Sequence, residues 1–282
     1  MTFDTALPPG QTFTYDGVTN GNDLIGRHWL RDAIVLLPLM AGSFGMEHSA
    51  NHLLASLAAD KIAALLPHLQ TVELPPETVL FETGDTIQTI YFPLRGVASV
   101  VVDLSAGETI ETAMIGRDSL VGGSAAFDNQ VSLNRVVVQV GGAAAALNVD
   151  RFRELVQQSE LFRAKLARHE HFLLAQAQQS AACNATHALD QRLCRWLLRC
   201  RDLLDSDDIG LTQEFLAEML GVRRTSVTLV AGALQKSGLI RYRRGHIRLL
   251  DHGGLLDGAC ECYGTIKAHA DRLLGVTSSR PA

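Results

Sequence analysis

Between residues 70 and 168 the chain has neither histidine nor cysteine. That absence removes the usual protein ligands of haem, iron–sulfur clusters and His-based metal enzymes from the middle of the molecule. The five cysteines, an odd number without regular spacing, do not form a disulfide framework and read as reduced thiols of a cytoplasmic protein. No apolar run approaches the ~20 residues a membrane span needs. The best candidate, residues 33–41, is short and interrupted by Pro38. The acidic start, with Asp4 and no early Lys or Arg, lacks the basic region of a signal peptide. No nucleophile–base pair stands out. The expectation is a non-enzymatic, cytoplasmic protein with no membrane partner.

The 282 residues, 47% hydrophobic and 20% charged, suit two modest globular domains. Residues 1–46, punctuated by Pro8, Pro9, Gly10, Gly21 and Gly42, read as a disordered or non-native extension, with Met46 as the alternative start. Helical periodicity follows at Leu53, Leu57, Ile62, Leu65 and Leu66. The period then changes to two. Short runs at 79–81, 87–92, 97–102, 109–115, 135–140 and 143–149 alternate with Gly84-Asp85, Pro93, Gly96, Gly107, Gly116, Gly122-Gly123 and Gly141-Gly142. Such spacing predicts an antiparallel sandwich or roll. Asp150 is the expected N-cap of a helix carrying Phe152, Leu155 and Val156. A longer helix then places Phe162, Leu166, His169, Leu173 and Ala177 in one stripe. That stripe suits either packing on the sheet or a dimer contact.

Residues 211–221 predict a short helix: Thr212 as cap, Glu214 at its positive end, Leu211 stapled to Leu216, and Gly221 as a left-handed stop. Val222 plugs the turn into a second helix over 223–236, which buries Val227, Val230 and Leu234 and leaves Thr225, Leu229 and Gly232 outward. Two helices joined by a tight Gly turn are a helix-turn-helix. Alternation over 239–249 then puts Ile240, Tyr242, Ile247 and Leu249 on one side and Arg241, Arg243, His246 and Arg248 on the other, with Arg244-Gly245 at a hairpin tip. Residues 223–248 hold seven Lys or Arg and no Asp or Glu, in a chain of net charge −5. A local basic face of this kind suits phosphate contact, and base edges then supply specificity. The competing reading is a protein-docking module with a solvated basic face.

These segments resemble the Crp–Fnr family of bacterial regulators over roughly residues 53–251. The resemblance rests on LTQEFLAEMLGVRRTSV at 211–227, on GLIRY at 238–242 with RGHI at 244–247, on Gly84-Asp85 with Ile90-Tyr91-Phe92, and on Ile115-Gly116-Arg117-Asp118. It implies an α+β architecture. An N-terminal antiparallel β-roll of the cyclic-nucleotide-binding kind (47–159) is joined by a long dimerisation helix (160–183) to a C-terminal winged helix-turn-helix (184–252), followed by a C-terminal helix and tail (253–282). It further implies a homodimer on double-stranded DNA, with RNA polymerase as a partner and a signal received at the β-roll. Arg224, Thr225, Ser226, Thr228 and Leu229 are the expected DNA contacts of the reading helix. Arg223, Arg241, Arg243, Arg244 and Arg248 are expected mainly on phosphate. Of the family's Arg-Glu-x-x-x-Arg reading pattern only Arg224 matches, because Thr225 and Leu229 replace the others. This predicts a different operator.

The sensor cassette departs further. Gly122-Gly123 stands where the family's nucleotide binders have Gly-Glu. Leu133-Asn134 stands at the Arg-Ser/Thr pair, with Arg135 displaced. Gly122, Gly123, Ser124, Asn134 and Arg135 are the candidate ligand residues, with Arg135 expected on a solvent-facing strand, and cyclic-nucleotide binding is not supported. No cofactor or metal is expected. Cys260 reads as part of one helical stripe with Leu256, Tyr263, Ile266, Ala270 and Leu273, and Cys262 lies on the same helix off that stripe. Two positions apart on a helix, their sulfurs would diverge, Cys260 to the core and Cys262 to the surface. Cys183, Cys194 and Cys200 carry no assigned role, and Trp196 with Leu193 and Leu197 reads as core.

Overall fold

The computed structural model describes residues 14–15, 18–19, 50–127 and 130–275. The chain divides into two compact units, 1–47 and 48–282. In the first, β1 (Thr14–Tyr15) and β2 (Val18–Thr19) pair antiparallel. The rest of the expected extension lies outside the described residues.

The second unit opens with α1 (His52–Ala55), capped by Asn51, and α2 (Ala59–Leu65). Next come β3 (Gln70–Leu74), β4 (Val79–Phe81), β5 (Thr89–Asp103), β6 (Thr109–Ile115) and β7 (Arg135–Asn148). They form one antiparallel sheet ordered β3-β7-β5-β6, with β4 also on β7. Its curled interior holds Phe81, Ile90, Phe92, Ile115, Leu120 and Leu147, closed by Phe152 and Phe162 from the helices that follow.

Four of the expected short strands are two long ones. Residues 87–92 and 97–102 fuse into β5, and 135–140 and 143–149 fuse into β7. The glycines between them are points of close strand approach rather than turns. A Cβ on Gly142 would strike the Arg95 carbonyl, and one on Gly96 (φ +87°) would lie 2.7 Å from the Val140 carbonyl oxygen. The register shifts there, between Pro93 and Val97, which bends both strands without ending them.

Asn148, two residues before the expected cap, starts α3 (Val149–Gln158) by accepting from Asp150 N at 2.9 Å. The long helix α4 (Glu160–Thr186) runs one turn past its expected end. Its buried stripe is Phe162, Leu166, His169, Phe172, Gln176, Ser180 and Cys183. Most of the apolar stripe read from sequence is therefore consumed inside the chain. The opposite face, Ala167, His171, Leu174, Gln178, Ala181 and Ala185, is exposed.

Helix α5 (Leu189–Leu204) carries Leu193, Trp196 and Leu197, all fully buried, into the core of the second half. The winged domain follows: β8 (Asp208–Gly210), α6 (Gln213–Leu220), α7 (Arg224–Lys236), β9 (Ile240–Arg243) and β10 (His246–Leu249). Its sheet order is β8-β10-β9, and β8 has no counterpart in the sequence reading. Two helices close the fold, α8 (His252–Gly258) and α9 (Cys262–Leu274). The expected single helix through Cys260 and Cys262 is broken here. Ala259 is extended, Cys260 lies in the gap, and Cys262 starts the next helix, buried rather than exposed. Among the described residues, no helix is long and apolar enough to cross a membrane.

Candidate nucleic-acid interface and sensor cavity

Local chemistry builds the helix-turn-helix as its sequence requires. Thr212 Oγ1 accepts from Phe215 N at 3.2 Å and caps α6. Gly221 ends it at φ +62°, with Ile110 of the β-roll 3.1 Å from where a Cβ would stand. A side chain there would be strained by its backbone and would also crowd the Ile110 side chain. Arg223 takes the N-cap of α7. Val227, Ala231 and Leu234 face the core, with Val230 half-buried beside them.

The outer face of α7 presents Arg224, Thr225, Thr228 and Leu229, all exposed, with Ser226 half-buried at their edge. Leu229 is 75% exposed, the most solvated large apolar side chain among the described residues, ahead of Leu133 at 71%. Leaving a leucine in water forgoes roughly 1.5–3 kcal/mol of burial, so Leu229 gives this otherwise polar face one apolar contact point. Arg224 pairs with Glu214 at 3.1 Å, both side chains well exposed. Such a bridge contributes little, so a stronger anion can take the guanidinium from it. Thr228 donates to Gln213 Oε1 at 2.8 Å, which brings the preceding helix into the same polar face. Sequence reasoning missed both partners, because each lies ten or more positions away.

The wing has its expected register. Arg241 faces Arg248 and Arg243 faces His246, and Arg244 (φ +47°) with Gly245 (φ +79°) forms the tight turn. Arg241, Arg243, Arg244 and Arg248 line the wing's outer side, all four exposed, while Ile247 and Leu249 are buried. Tyr242 N donates to Gln235 Oε1 at 2.7 Å, which holds the wing to the end of α7. The ten residues singled out for DNA therefore lie on two adjoining elements, the exposed face of α7 and the outer side of the wing.

Beneath the β-roll a cavity of about 400 Å³ is lined by Gly122, Gly123, Ser124 and Asn134, four of the five expected ligand residues. The fifth, Arg135, is not among its lining residues. It is half-buried rather than solvent-facing, pairs with Glu82 at 3.4 Å and Asp103 at 3.8 Å, and borders a separate cleft against α6. The strand register that alternates its side chain away from the cavity is the physical reason. Phe81, Ile87, Leu120 and Val121 make the cavity walls apolar, and Leu173 and Leu174 of α4 close it. Its one charged lining residue is Glu170, so a phosphate would meet a carboxylate and no counter-charge. The α4 residues escaped the sequence reading because nothing local shows which helix roofs a sheet.

The two halves are packed together. Met219 of α6 sits against Val101 and Val137 of the roll, and Arg199 of α5 donates to Asp118 Oδ2 of the roll. At the same seam, Glu111 accepts from Ser99 Oγ at 2.6 Å and from Gln139 Nε2 at 3.2 Å. Burial pushes its carboxyl above the ordinary range against those bonds.

The comparisons agree with this architecture. Residues 71–159 match the cyclic nucleotide-binding domain family, and residues 191–257 match the Crp-like helix-turn-helix domain family. No curated protein sequence matches the chain. FixK2 from Bradyrhizobium japonicum shares the fold at 13% identity, covering 68% of this chain and 98% of its own, with a TM-score of 0.59. A CRP/FNR-family transcriptional regulator from Thermus thermophilus does so at 23% identity, covering 67% and 98%, with a TM-score of 0.54. The c-di-GMP responsive global regulator CLP from Xanthomonas campestris does so at 19% identity, covering 69% and 100%, with a TM-score of 0.54. With both domain types present in this order on the shared fold, the chain belongs to the Crp–Fnr family of transcriptional regulators.

Proposed function

We propose that the chain is a cytoplasmic, non-enzymatic regulator that binds a two-fold symmetric DNA site as a homodimer and receives its signal in the β-roll cavity. The observation that carries the reading is Leu229, exposed at the centre of a face that bears Arg224 and adjoins four wing arginines. Arg224, Thr225, Thr228 and Leu229 would address base edges, with Ser226 beside them. Arg223, Arg241, Arg243, Arg244 and Arg248 would neutralise phosphates. An outward leucine favours a thymine methyl, and a threonine accepts several bases.

The exposed stripe of α4, with Leu174 54% exposed among small residues, supports a second copy packing along this helix. Two α7 helices related by that axis would enter major grooves about one turn apart. An uncharged or apolar effector would suit the cavity better than an anion. It would touch Leu173 and Leu174 and so bias the dimer helix between two arrangements. RNA polymerase is the partner such a regulator would address once on DNA.

Selection of bound DNA from a random pool by the purified protein, followed by salt-dependent gel shifts, tests this reading. Arg224→Ala and Arg243→Ala should each weaken binding, and each lost phosphate contact should reduce the salt slope by about one. Unchanged binding in both variants would favour a protein-docking module. Recovery of the half-site read by family members with the Arg-Glu-x-x-x-Arg pattern would overturn the predicted change of operator.

A further inference from the structure

Four ligand-bearing side chains that the regulatory reading does not use converge where the long helix ends. Cys183 lies in the last turns of α4, and His187 follows one turn later as its C-cap, donating its backbone N–H to the Cys183 carbonyl at 3.0 Å. Cys260 and Cys262 arrive from the break between α8 and α9. Because that break is not helical, residues two apart can point to one place. Cys183 Sγ is 3.6 Å from Cys260 Sγ, and Cys262 Sγ is 3.6 Å from His187 Nδ1. All four donor atoms lie within 4.8 Å of one another.

Those spacings are close to what one small ion demands. Zn–S bonds of about 2.3 Å and Zn–N bonds of about 2.0 Å set tetrahedral edges of roughly 3.5–3.8 Å. A cluster of several irons bridged by sulfide would need its ligands spread wider. The surroundings are arranged for a metal as well. His187 Nε2 is 3.2 Å from Glu261 Oε1, which fixes the tautomer that leaves Nδ1 facing the sulfurs. Gln179 Nε2 donates to Cys262 Sγ at 3.0 Å. A disulfide between Cys183 and Cys260 would explain neither the His187–Glu261 pair nor the inward aim of Cys262.

We propose that Cys183, His187, Cys260 and Cys262 hold a single thiophilic divalent cation of the Zn²⁺ class in a closed four-coordinate site. Binding sends the three thiol protons to solvent and forms three metal–sulfur bonds and one metal–nitrogen bond. The ion clasps the end of α4 to the segment that follows the wing, beside α9, which packs along α4 through Phe172, Ile266 and Ala270. Metal loss would loosen the winged domain from the long helix and lower DNA affinity, a consequence that rests on the DNA-binding reading above.

Elemental analysis of the full chain, purified under reducing conditions, should find about one zinc per chain. Chelator-stripped protein titrated with Co²⁺ should develop the visible bands of a tetrahedral, thiolate-rich centre and a sulfur-to-cobalt charge-transfer band. Glu261→Gln, which keeps all four ligands, should weaken Zn²⁺ binding by about 10–100-fold. Cys260→Ser should abolish the cobalt spectrum, and Cys194→Ser, buried outside the cluster, should leave it intact. If Cys260→Ser does not fold, the wild-type cobalt spectrum and the Glu261→Gln affinity decide. Folded wild-type protein without a tetrahedral cobalt spectrum would overturn the site. So would acid-labile sulfide in the purified protein, or a Cys183–Cys260 disulfide that forms while Zn²⁺ is present. Stoichiometric zinc in a protein that ignores DNA would support the site and sink only the DNA reading.

Discussion

Arg199 of α5 donates to Asp118 Oδ2 at 2.6 Å across the seam between the β-roll and the helices leading to the wing, and both side chains are almost entirely buried. The guanidinium also lies over the Phe172 ring of α4, 5.9 Å from its centroid. One cation thus touches the β-roll, the long helix and the base of the winged half. Burial opposes the charge on Arg199, and Asp118 outweighs it by raising the affinity of the guanidinium for its proton.

Breaking this pair from one side should be costly. Asp118→Ala would leave Arg199 buried without its counter-charge, at a cost of about 3–5 kcal/mol. Asp118→Leu combined with Arg199→Met should recover most of that loss. Urea denaturation of the single and double variants measures both. Equal stability of Asp118→Ala and wild type would mean that the pair is not formed in solution.

Glu111 predicts a pH dependence with a definite sign. Its carboxyl is held above the unfolded value chiefly by burial, so the folded state binds the proton more tightly than the unfolded one. Its contribution to stability is fully present below the unfolded value and is lost as pH rises through the raised folded value. Glu111→Gln removes the titration and leaves an oxygen for Ser99 to donate to. The variant should melt higher than wild type at pH 7.5, by about 2–4 °C per kcal/mol of relieved desolvation, with the gap closing towards pH 4. Calorimetric scans across that range check it, and a gap that widens on acidification would contradict the sign.

Leu229 predicts a change in specificity more than in affinity. Leu229→Ala should relax discrimination at one base position of the selected site, by about tenfold, with the salt slope unchanged because no phosphate contact is lost. A flattened slope in this variant would place Leu229 against the DNA backbone.

The outer face of α4 predicts assembly. Ala181 is exposed on this face between Gln178 and Ala185 and is absent from the cavity lining. Ala181→Arg should therefore shift sedimentation from dimer to monomer without lowering the melting temperature of the chain itself. Retention of a dimer would locate the two-fold interface elsewhere.

The winged helix-turn-helix was legible in the sequence because its determinants are local. A Thr212 cap, a Gly221 stop and an Arg244-Gly245 turn act within a few residues, and alternation along β9 and β10 sorts arginines from core. Backbone sterics and burial leave such segments few alternatives. The same local reading failed where a residue's meaning depends on a distant strand or helix. Gly96 and Gly142 looked like turns until the pairing of β5 with β7 brought their backbones together. Arg135 was expected to face solvent from its strand, and only the folded sheet sets it half-buried against Glu82 and Asp103, turned from the cavity. Cys260 and Cys262 looked like divergent neighbours on a helix. Only the break at Ala259, and the return of the chain 77 residues after Cys183, set them facing one another and His187. The sequence by itself determined the elements and the basic reading surface. The tertiary structure decided which side chains meet, because those meetings are made by packing across long loops of chain, and no periodicity records them.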